Sequence, residues 1–275
     1  MSQRPYLLVS NDDGIDSFFL RALVDALVMD FEVCVVAPAQ EQSWVGRCMS
    51  RSGVLSAQLL DEWPCKAWSV SGRPADCVNI GLHHLVERAP IAVVSGMNLG
   101  FNVSLPLTLG SGTVAAATSG ALYGGIHAIA LSLMIDHASF FKTSKARGHR
   151  DEEGNHITRC AAQRATHLIK DIIKTDPVLY QVHNINFPAY VNSETPLVRT
   201  SLALAQMPSL FSACSPDGTL LSPDPINETS QSSERSFTFT FSREWTYTRN
   251  PSTSDVQVVR NQEISYTILD WSQIG

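Results

Sequence analysis

The chain predicts an α/β fold built on a mostly parallel sheet, with a β-rich extension at its C-terminal end. Short apolar runs bounded by turn residues recur at 6–10, 31–37, 91–95, 128–133 and 182–187, the pattern of strands buried on both faces. Helical stretches separate most of these runs, so successive strands are expected to pair in parallel through right-handed crossovers. After about residue 200 the rhythm stops. A stretch rich in Ser, Pro, Asp and Thr over 209–235 gives way to alternating sequence over 237–241 and 264–269, the signature of half-exposed strands. The expected division is a core over 1–200 and an extension over 201–275.

Composition narrows the function classes. The 275 residues, 44% hydrophobic and 17% charged, suffice for a large core. A net charge of -6 and a pI near 5.7 argue against a surface that coats nucleic acid or anionic membrane, which calls for clustered Lys and Arg. A small anionic ligand is compatible with this charge if a metal or backbone dipoles supply the positive side. The six cysteines are scattered without a C-x-x-C pair, against a zinc cluster or a disulfide framework and in favour of core thiols in a reducing compartment. The chain shows no charged segment leading into an apolar one at its start. Its most apolar later stretch, 120–135, is short for a membrane span and contains Gly124, Gly125 and His127. A cytoplasmic location with no stable nucleic-acid or membrane partner is the expectation.

Taken in order, the first strand ends in Asn11-Asp12-Asp13-Gly14, placing two adjacent acids where ligands of open α/β sheets bind. Turn chemistry accounts for these four residues equally well, since Asn and Asp bond their own backbone and tolerate left-handed conformations. Asp16 or Ser17 caps a helix whose apolar positions Phe19, Leu20, Leu23, Val24, Leu27 and Val28 recur at helical spacing. The strand over 31–37 stops at Pro38, so the loop 39–46, with Ser43, also lies at a carboxyl end. Residues 48–70 read as short strands and hairpin connections, and Pro74 suits the first turn of a helix running to about Leu85.

The strand over 91–95 ends in Gly96-Met97-Asn98-Leu99-Gly100-Phe101-Asn102. A loop containing Pro106 leads to Gly110-Ser111-Gly112-Thr113 and a small-residue helix over 114–121. Glycines and hydroxyls at a helix start suit a phosphate; a simple Ser/Thr cap on a tightly packed helix is the plainer explanation. Beyond the strand at 128–133, the charged segment 140–156 reads as a solvated, mobile loop. Residues 157–174 form a helix with an apolar stripe, beside which His167 is a structural or surface residue.

Three of these loops carry the chemistry. Asp12 and Asp13 supply carboxylates, Ser43 a hydroxyl and Asn98 a side-chain carbonyl. All are hard oxygen donors, suited to Mg²⁺, Mn²⁺ or Ca²⁺ better than to zinc or copper.

The motifs resemble the SurE (survival protein E) family of metal-dependent nucleotidases. The resemblance is carried by Asn11-Asp12-Asp13-Gly14, by Val35-Val36-Ala37-Pro38 with Glu41-Gln42-Ser43, and by Ser71-Gly72-Arg73-Pro74-Ala75-Asp76-Cys77-Val78. It continues with Ser95-Gly96-Met97-Asn98-Leu99-Gly100-Phe101-Asn102, Ser111-Gly112-Thr113-Val114 and Asn184-Ile185-Asn186-Phe187-Pro188. A weaker match follows at Ser254-Asp255-Val256 and Ile264-Ser265-Tyr266-Thr267.

The resemblance implies a Rossmann-like three-layer core and a 5'/3'-nucleotidase that hydrolyses nucleoside monophosphates. It further implies one divalent cation per subunit, Mg²⁺ or Mn²⁺ with Ca²⁺ as a crystal substitute, held by Asp12, Asp13, Ser43 and Asn98. Substrate and phosphate would be held by Asn11, Asn98, Asn102, Ser111, Gly112 and Thr113. Family members form homodimers or homotetramers with an extended C-terminal segment exchanged between subunits, a role the expected extension would fill.

Two departures bear on chemistry. Where the family commonly has Gly-Val-Gly-His-Ser after the metal serine, this chain has Trp44-Val45-Gly46-Arg47-Cys48. Arg47 cannot act as a general base at ordinary pH, but it can hold phosphate bidentately and so joins the substrate set. The loop 101–110 has Val103, Ser104, Leu105, Pro106 and Leu109 in place of the family's acidic pair and tyrosine.

The expected reaction is metal-assisted hydrolysis of a phosphomonoester, with Asp12 or Asp13 orienting or deprotonating water and the helix start at 111–113 stabilising the equatorial oxygens. A phosphatase with an aspartyl nucleophile would need an alternating Asp-x-Asp, which the adjacent pair does not supply. A non-catalytic nucleotide- or phosphate-binding protein of the same fold is the alternative that Arg47 and the altered loop favour.

Overall fold

The computed structural model describes residues 4–215, 217, 219, 220, 238–241 and 254–274. It forms two compact units, Met1–Ala203 with Ser252–Gly275, and Leu204–Pro251. The larger opens with β1 (Tyr6–Ser10), α1 (Phe18–Leu27), β2 (Glu32–Pro38), β3 (Ala57–Leu60) and β4 (Lys66–Val70). Next come α2 (Pro74–Ile80), which runs into a π-helical turn (Gly81–Leu85), β5 (Ala92–Leu99), α3 (Leu105–Gly110), α4 (Gly112–Tyr123) and β6 (His127–Leu133). Then follow α5 (His137–Lys145), α6 (Glu152–Ile172), β7 (Gln181–Phe187) and β8 (Leu197–Thr200). The smaller unit holds β9 (Phe211–Cys214) and β10 (Thr238–Phe241), and the chain returns to the larger unit as α7 (Asp255–Arg260), β11 (Ile264–Asp270) and a 3-10 turn (Trp271–Ile274).

The main sheet has the order β3-β4-β2-β1-β5-β6-β7-β11-β8. Its strands are parallel except where β3 meets β4 and where β11 meets β7. All five residues of β1 are buried because they serve two cores. Leu7 and Val9 pack with Phe19, Leu23 and Ile169 of α1 and α6, while Tyr6 and Leu8 pack with Cys77 and Val78 of α2. Each such side chain contributes about 1.5–3 kcal/mol on burial. The result is a three-layer α/β core. The small residues of α4 have a steric cause: a Cβ at Gly120 would stand 2.5 Å from Val93 Cβ, so only a bare backbone lets this helix approach β5.

Three parts of the chain differ from expectation. The segment 140–156 is not a loop, since it contains most of α5 and the start of α6. Its Asp151 caps α6, the side chain accepting from Gly154 N at 2.8 Å, while Asp136, just before the segment, caps α5 by accepting from Ser139 N at 2.9 Å. Glu152 and Glu153 lie in the first turn of α6, and Lys142 and Lys145 in the last turn of α5, where each sign complements the helix dipole. The loop around Pro106 contains the short helix α3. The alternating sequence over 264–269 becomes β11, an internal strand of the main sheet, with Tyr266 opposite Ile185 on β7 and Arg199 on β8.

In the smaller unit, β9 and β10 pair antiparallel, and the rings of Phe211 and Phe241 meet edge-on at 5.8 Å. Phe237 and residues 221–235, the other expected parts of this region, lie outside the described residues. Among the described residues no helix is long and apolar enough to cross a membrane.

Candidate active site

The strand order β2-β1-β5 brings three carboxyl-end loops side by side. Asn11 shapes the first: its Nδ2 donates to Gly14 O at 2.9 Å, and Gly14 takes φ +92°. The next loop is stitched to it, with Ile15 N donating to Pro38 O at 2.8 Å and Gln42 N to Asp12 O at 2.7 Å. Further on, Gly46 N donates to Gly110 O at 2.9 Å. Ser43 therefore lies on a span pinned at one end to Asp12 and at the other to the junction before α4. From the third loop, Leu99 N donates to Asp13 Oδ2 at 2.7 Å, which ties the backbone next to Asn98 to the second acid.

The start of α4 closes the other side. Thr113 Oγ1 donates to Asp12 Oδ1 at 2.5 Å. A Cβ at Gly112 would come within 2.7 Å of Asp12 Cβ, so glycine is what allows the helix start to touch the carboxylate. Ser111 is the N-cap, its Oγ accepting from Val114 N at 3.0 Å. The cap reading and the proximity to the acids hold together.

Asn102 and Arg47 are placed differently. Asn102 is buried in a polar network, its N donating to Asn186 Oδ1 at 2.7 Å, its Nδ2 to Ser132 Oγ at 2.9 Å, and its O accepting from Asn184 Nδ2 at 2.8 Å. These bonds fix the course of the third loop. Arg47 extends to the far end of α4, where it donates to Tyr123 Oη at 2.6 Å and lies 5.3 Å from the ring centroid.

Asp12 and Asp13 are both held above the ordinary carboxylate range. For Asp12 burial is the main cause, opposed by the hydrogen bonds from Thr113. For Asp13 burial again leads, the charge of Asp12 adds to it, and the Leu99 N–H opposes it. Adjacent carboxylates, Asp12 buried and Asp13 half-buried, repel one another, and a cation between them would relieve that repulsion. The oxygen donors at these strand ends fit a hard one: two carboxylates and a buried Asn11 Oδ1 that has no hydrogen-bond partner among the described residues. Burial pushes the Cys34 thiol up to about 11 and Cys77 higher still, as expected of inert core thiols.

Sequence reasoning passed over two features. Asp255, fully buried at the start of α7, accepts from Ser104 N at 2.7 Å and from Ala203 N at 2.9 Å, tying the segment after β5 to the C-terminal part of the chain. A cleft of about 270 Å³ opens beside Asp13, with Asp16, Gln40, Glu41, Ser144 and Arg147 in its walls. The Asn-x-Asn alternation on β7 was a visible signal for the buried network, because polar residues two apart share one strand face. The weak motif match at Ser254-Asp255-Val256 was the one signal at Asp255, and nothing local pointed to Arg147.

The family model for survival protein SurE matches residues 7–207. The 5'-nucleotidase SurE of Cytophaga hutchinsonii is 36% identical over 192 residues, covering 69% of this chain and 67% of that protein. That of Methanocorpusculum labreanum is 38% identical over 186 residues, covering 68% of each. The crystal structure of the SurE protein from Aquifex aeolicus superposes with a TM-score of 0.67 at 23% identity, covering 97% of this chain and 93% of that one, a likeness of fold. The family-model match and the identities to these relatives show that this chain belongs to the SurE family.

Proposed function

We propose that this chain is a divalent-cation-dependent phosphomonoesterase that hydrolyses nucleoside monophosphates to nucleoside and phosphate. The observation that carries the reading is the Asp12–Asp13 pair at the end of β1, with Asp12 buried against Thr113 and Gly112 at the start of α4 and Asp13 half-buried beside it. Relatives 33–38% identical are named 5'-nucleotidase, and this supports the nucleotide as substrate.

Asp12, Asp13, Ser43 and Asn98 would hold the cation, Mg²⁺ or Mn²⁺. When bound, it supplies Lewis-acid polarisation of the phosphoryl group and a lowered pKa for a coordinated water. The protein's own groups do the rest. Thr113 and the Leu99 N–H each hold one carboxylate oxygen, so the pair is preorganised. Asp13 keeps Oδ1 to orient or deprotonate the attacking water. The N-terminus of α4, twelve residues long, presents backbone N–H groups and the positive end of its dipole towards charge on the equatorial oxygens. Ser111 holds that terminus as its cap, and Asn102 shapes the loop behind Asn98. No covalent phosphoenzyme is required.

The same reading includes a homodimer or homotetramer in a reducing, cytoplasmic compartment. It is supported by exposed Phe211, Phe239 and Leu220 in the smaller unit and by the free cysteines. Release of phosphate from AMP, GMP and p-nitrophenyl phosphate, with Mg²⁺ or Mn²⁺ and with a chelator, tests the activity. Cation-dependent release is expected. No release under any condition would favour a binding protein.

A further inference from the structure

We propose that the cleft between Asp13 and Arg147 is the subsite for the alcohol half of the substrate, and that Arg147 selects a hydroxyl-rich leaving group such as the sugar of a nucleoside. The inference rests on the phosphomonoesterase reading. In that reading the phosphoryl side is marked by Asp12, against Gly112 and Thr113 of α4. The cleft begins at the other carboxylate, Asp13, and runs towards the start of α1.

Its outer wall is the α5 segment. One end rests on the loop after Asn98, where a Cβ at Gly100 would lie 3.6 Å from Phe140 Cε2. The other end is seated on α1. Arg147 and Gly148 take φ +52° and +87°, and Arg147 O accepts from Phe18 N at 2.8 Å, satisfying one of the N–H groups that a helix start leaves open. A Cβ at Gly148 would stand 2.9 Å from Phe19 Cδ2, and the His149 ring lies 4.6 Å from that of Phe18. The backbone of this wall is anchored, while the Arg147 guanidinium, paired with Asp16, is 69% exposed at the rim. An exposed ion pair contributes little to stability, so substrate hydroxyls can replace it at small cost.

The lining sets the ligand class. Asp16, Glu41, Gln40, Ser144 and Arg147 provide acceptors and donors, and none of the described residues lining the cleft is aromatic. Vicinal hydroxyls find partners there, whereas a nitrophenyl group, which has no hydroxyl, leaves these donors and acceptors unpaired. A second phosphate would meet the carboxylates of Asp13, Asp16 and Glu41. The volume of about 270 Å³ is near the lower end for ligand sites, roughly 300 Å³, which suits one nucleoside and not an oligonucleotide.

The test compares the full-length protein with Arg147→Ala and Arg147→Lys, using AMP and p-nitrophenyl phosphate in Mn²⁺, alongside equilibrium binding of adenosine. The expected result is that Arg147→Ala raises KM for AMP about tenfold more than KM for the aryl ester, and weakens adenosine by a similar factor, with partial recovery in Arg147→Lys. Equal changes in KM for the two esters, or no change in either, would overturn the proposal, because a purely structural role moves both alike. If the unsubstituted protein releases phosphate from neither ester, the phosphomonoesterase reading fails on its own. Adenosine binding then decides the subsite: weakening in Arg147→Ala supports it, and no binding or unaltered binding overturns it.

Discussion

Thr113 Oγ1 donates to Asp12 Oδ1 at 2.5 Å across 101 residues of sequence, joining the start of α4 to the end of β1. The bond is buried at both ends, since Thr113 is fully buried and Asp12 is 4% exposed. A hydrogen bond to a charged group in such surroundings is worth about twice a neutral one.

Thr113→Val keeps the shape and removes the donor. Asp12 then loses the main group opposing its desolvation and becomes a poorer ligand. Cation affinity and kcat/KM are expected to fall by about 10–100-fold, as for partners that orient metal ligands, and Thr113→Ser should recover most of the loss. Isothermal titration with Mn²⁺ and steady-state kinetics on the same preparations check this. Unchanged affinity would separate Thr113 from the cation.

Gly112→Ala tests the contact from the other partner. Its Cβ would meet Asp12 Cβ at 2.7 Å and Oδ2 at 2.9 Å, so either the carboxylate or the helix start must move. A displacement of about 1 Å in a reacting centre costs on the order of 10²-fold in rate. The expected signature is a large fall in kcat with far-UV circular dichroism preserved; near-normal kcat would show that the acid tolerates the shift.

Asp13→Asn separates stability from activity. Burial and the neighbouring Asp12 make the charge on Asp13 costly without a cation, so the neutral variant should melt higher than the parent in chelator. Cation binding should reverse the order. At 100 times Kd it stabilises the parent by about 2.7 kcal/mol, roughly 5–10 °C for a chain of this size. The variant should show little of that shift and little hydrolysis. A melt in EDTA and in Mn²⁺ decides it, and full metal-dependent activity in Asp13→Asn would contradict its proposed role.

The strand ends were legible because a doubly buried strand needs an unbroken apolar run, and 6–10, 31–37 and 91–95 are such runs. Their order in the sheet then brings Asp12, Asp13, Asn98 and the Ser43 loop to one edge. What was not legible depended on partners distant in sequence. The acids and lysines of 140–156 looked like solvated charge, yet Lys142 and Lys145 lie in the last turn of α5 and Asp151 caps α6. Arg47 has the right chemistry for phosphate but reaches Tyr123 instead, and no spacing rule foretells that direction. The weak motif match at Ser254-Asp255-Val256 did not reveal what Asp255 binds, since its partner Ser104 is 151 residues away.

Acid should weaken the far side of the sheet. His183 on β7 has its Nδ1 2.6 Å from Tyr266 Oη, and its ring lies 6.2 Å from that of His127 on β6. Burial, then the charges of His127 and Arg199, lower its pKa from 6.5 to about 4. The folded value lies below the unfolded one, so the contribution is complete above about pH 6.5 and is lost as pH falls towards 4. The loss is at most about 3 kcal/mol. Urea midpoints at pH 7 and pH 4.5 should differ more for the parent than for His183→Gln; parallel behaviour would exclude this histidine as the source.

Asp255 should matter to both stability and rate. Its Oδ2 accepts from Ser104 N, while Oδ1 accepts from Ala203 N and Val256 N, each at 2.9 Å. Ser104 sits at φ +64° and ψ 154°, a conformation that a side chain rarely adopts and that persists only when its surroundings hold it. Asp255→Ala would leave two buried N–H groups from other segments unpaired, at about 1–3 kcal/mol each, and release Ser104 from its strained geometry. The loop from Asn98 to α3 should then loosen, so the urea midpoint falls and KM for AMP rises. Asp255→Asn keeps one carbonyl acceptor and should fall between. If Asp255→Ala lowered stability but left KM unchanged, the clamp would be structural alone and the loop would owe its course to the Asn102 network.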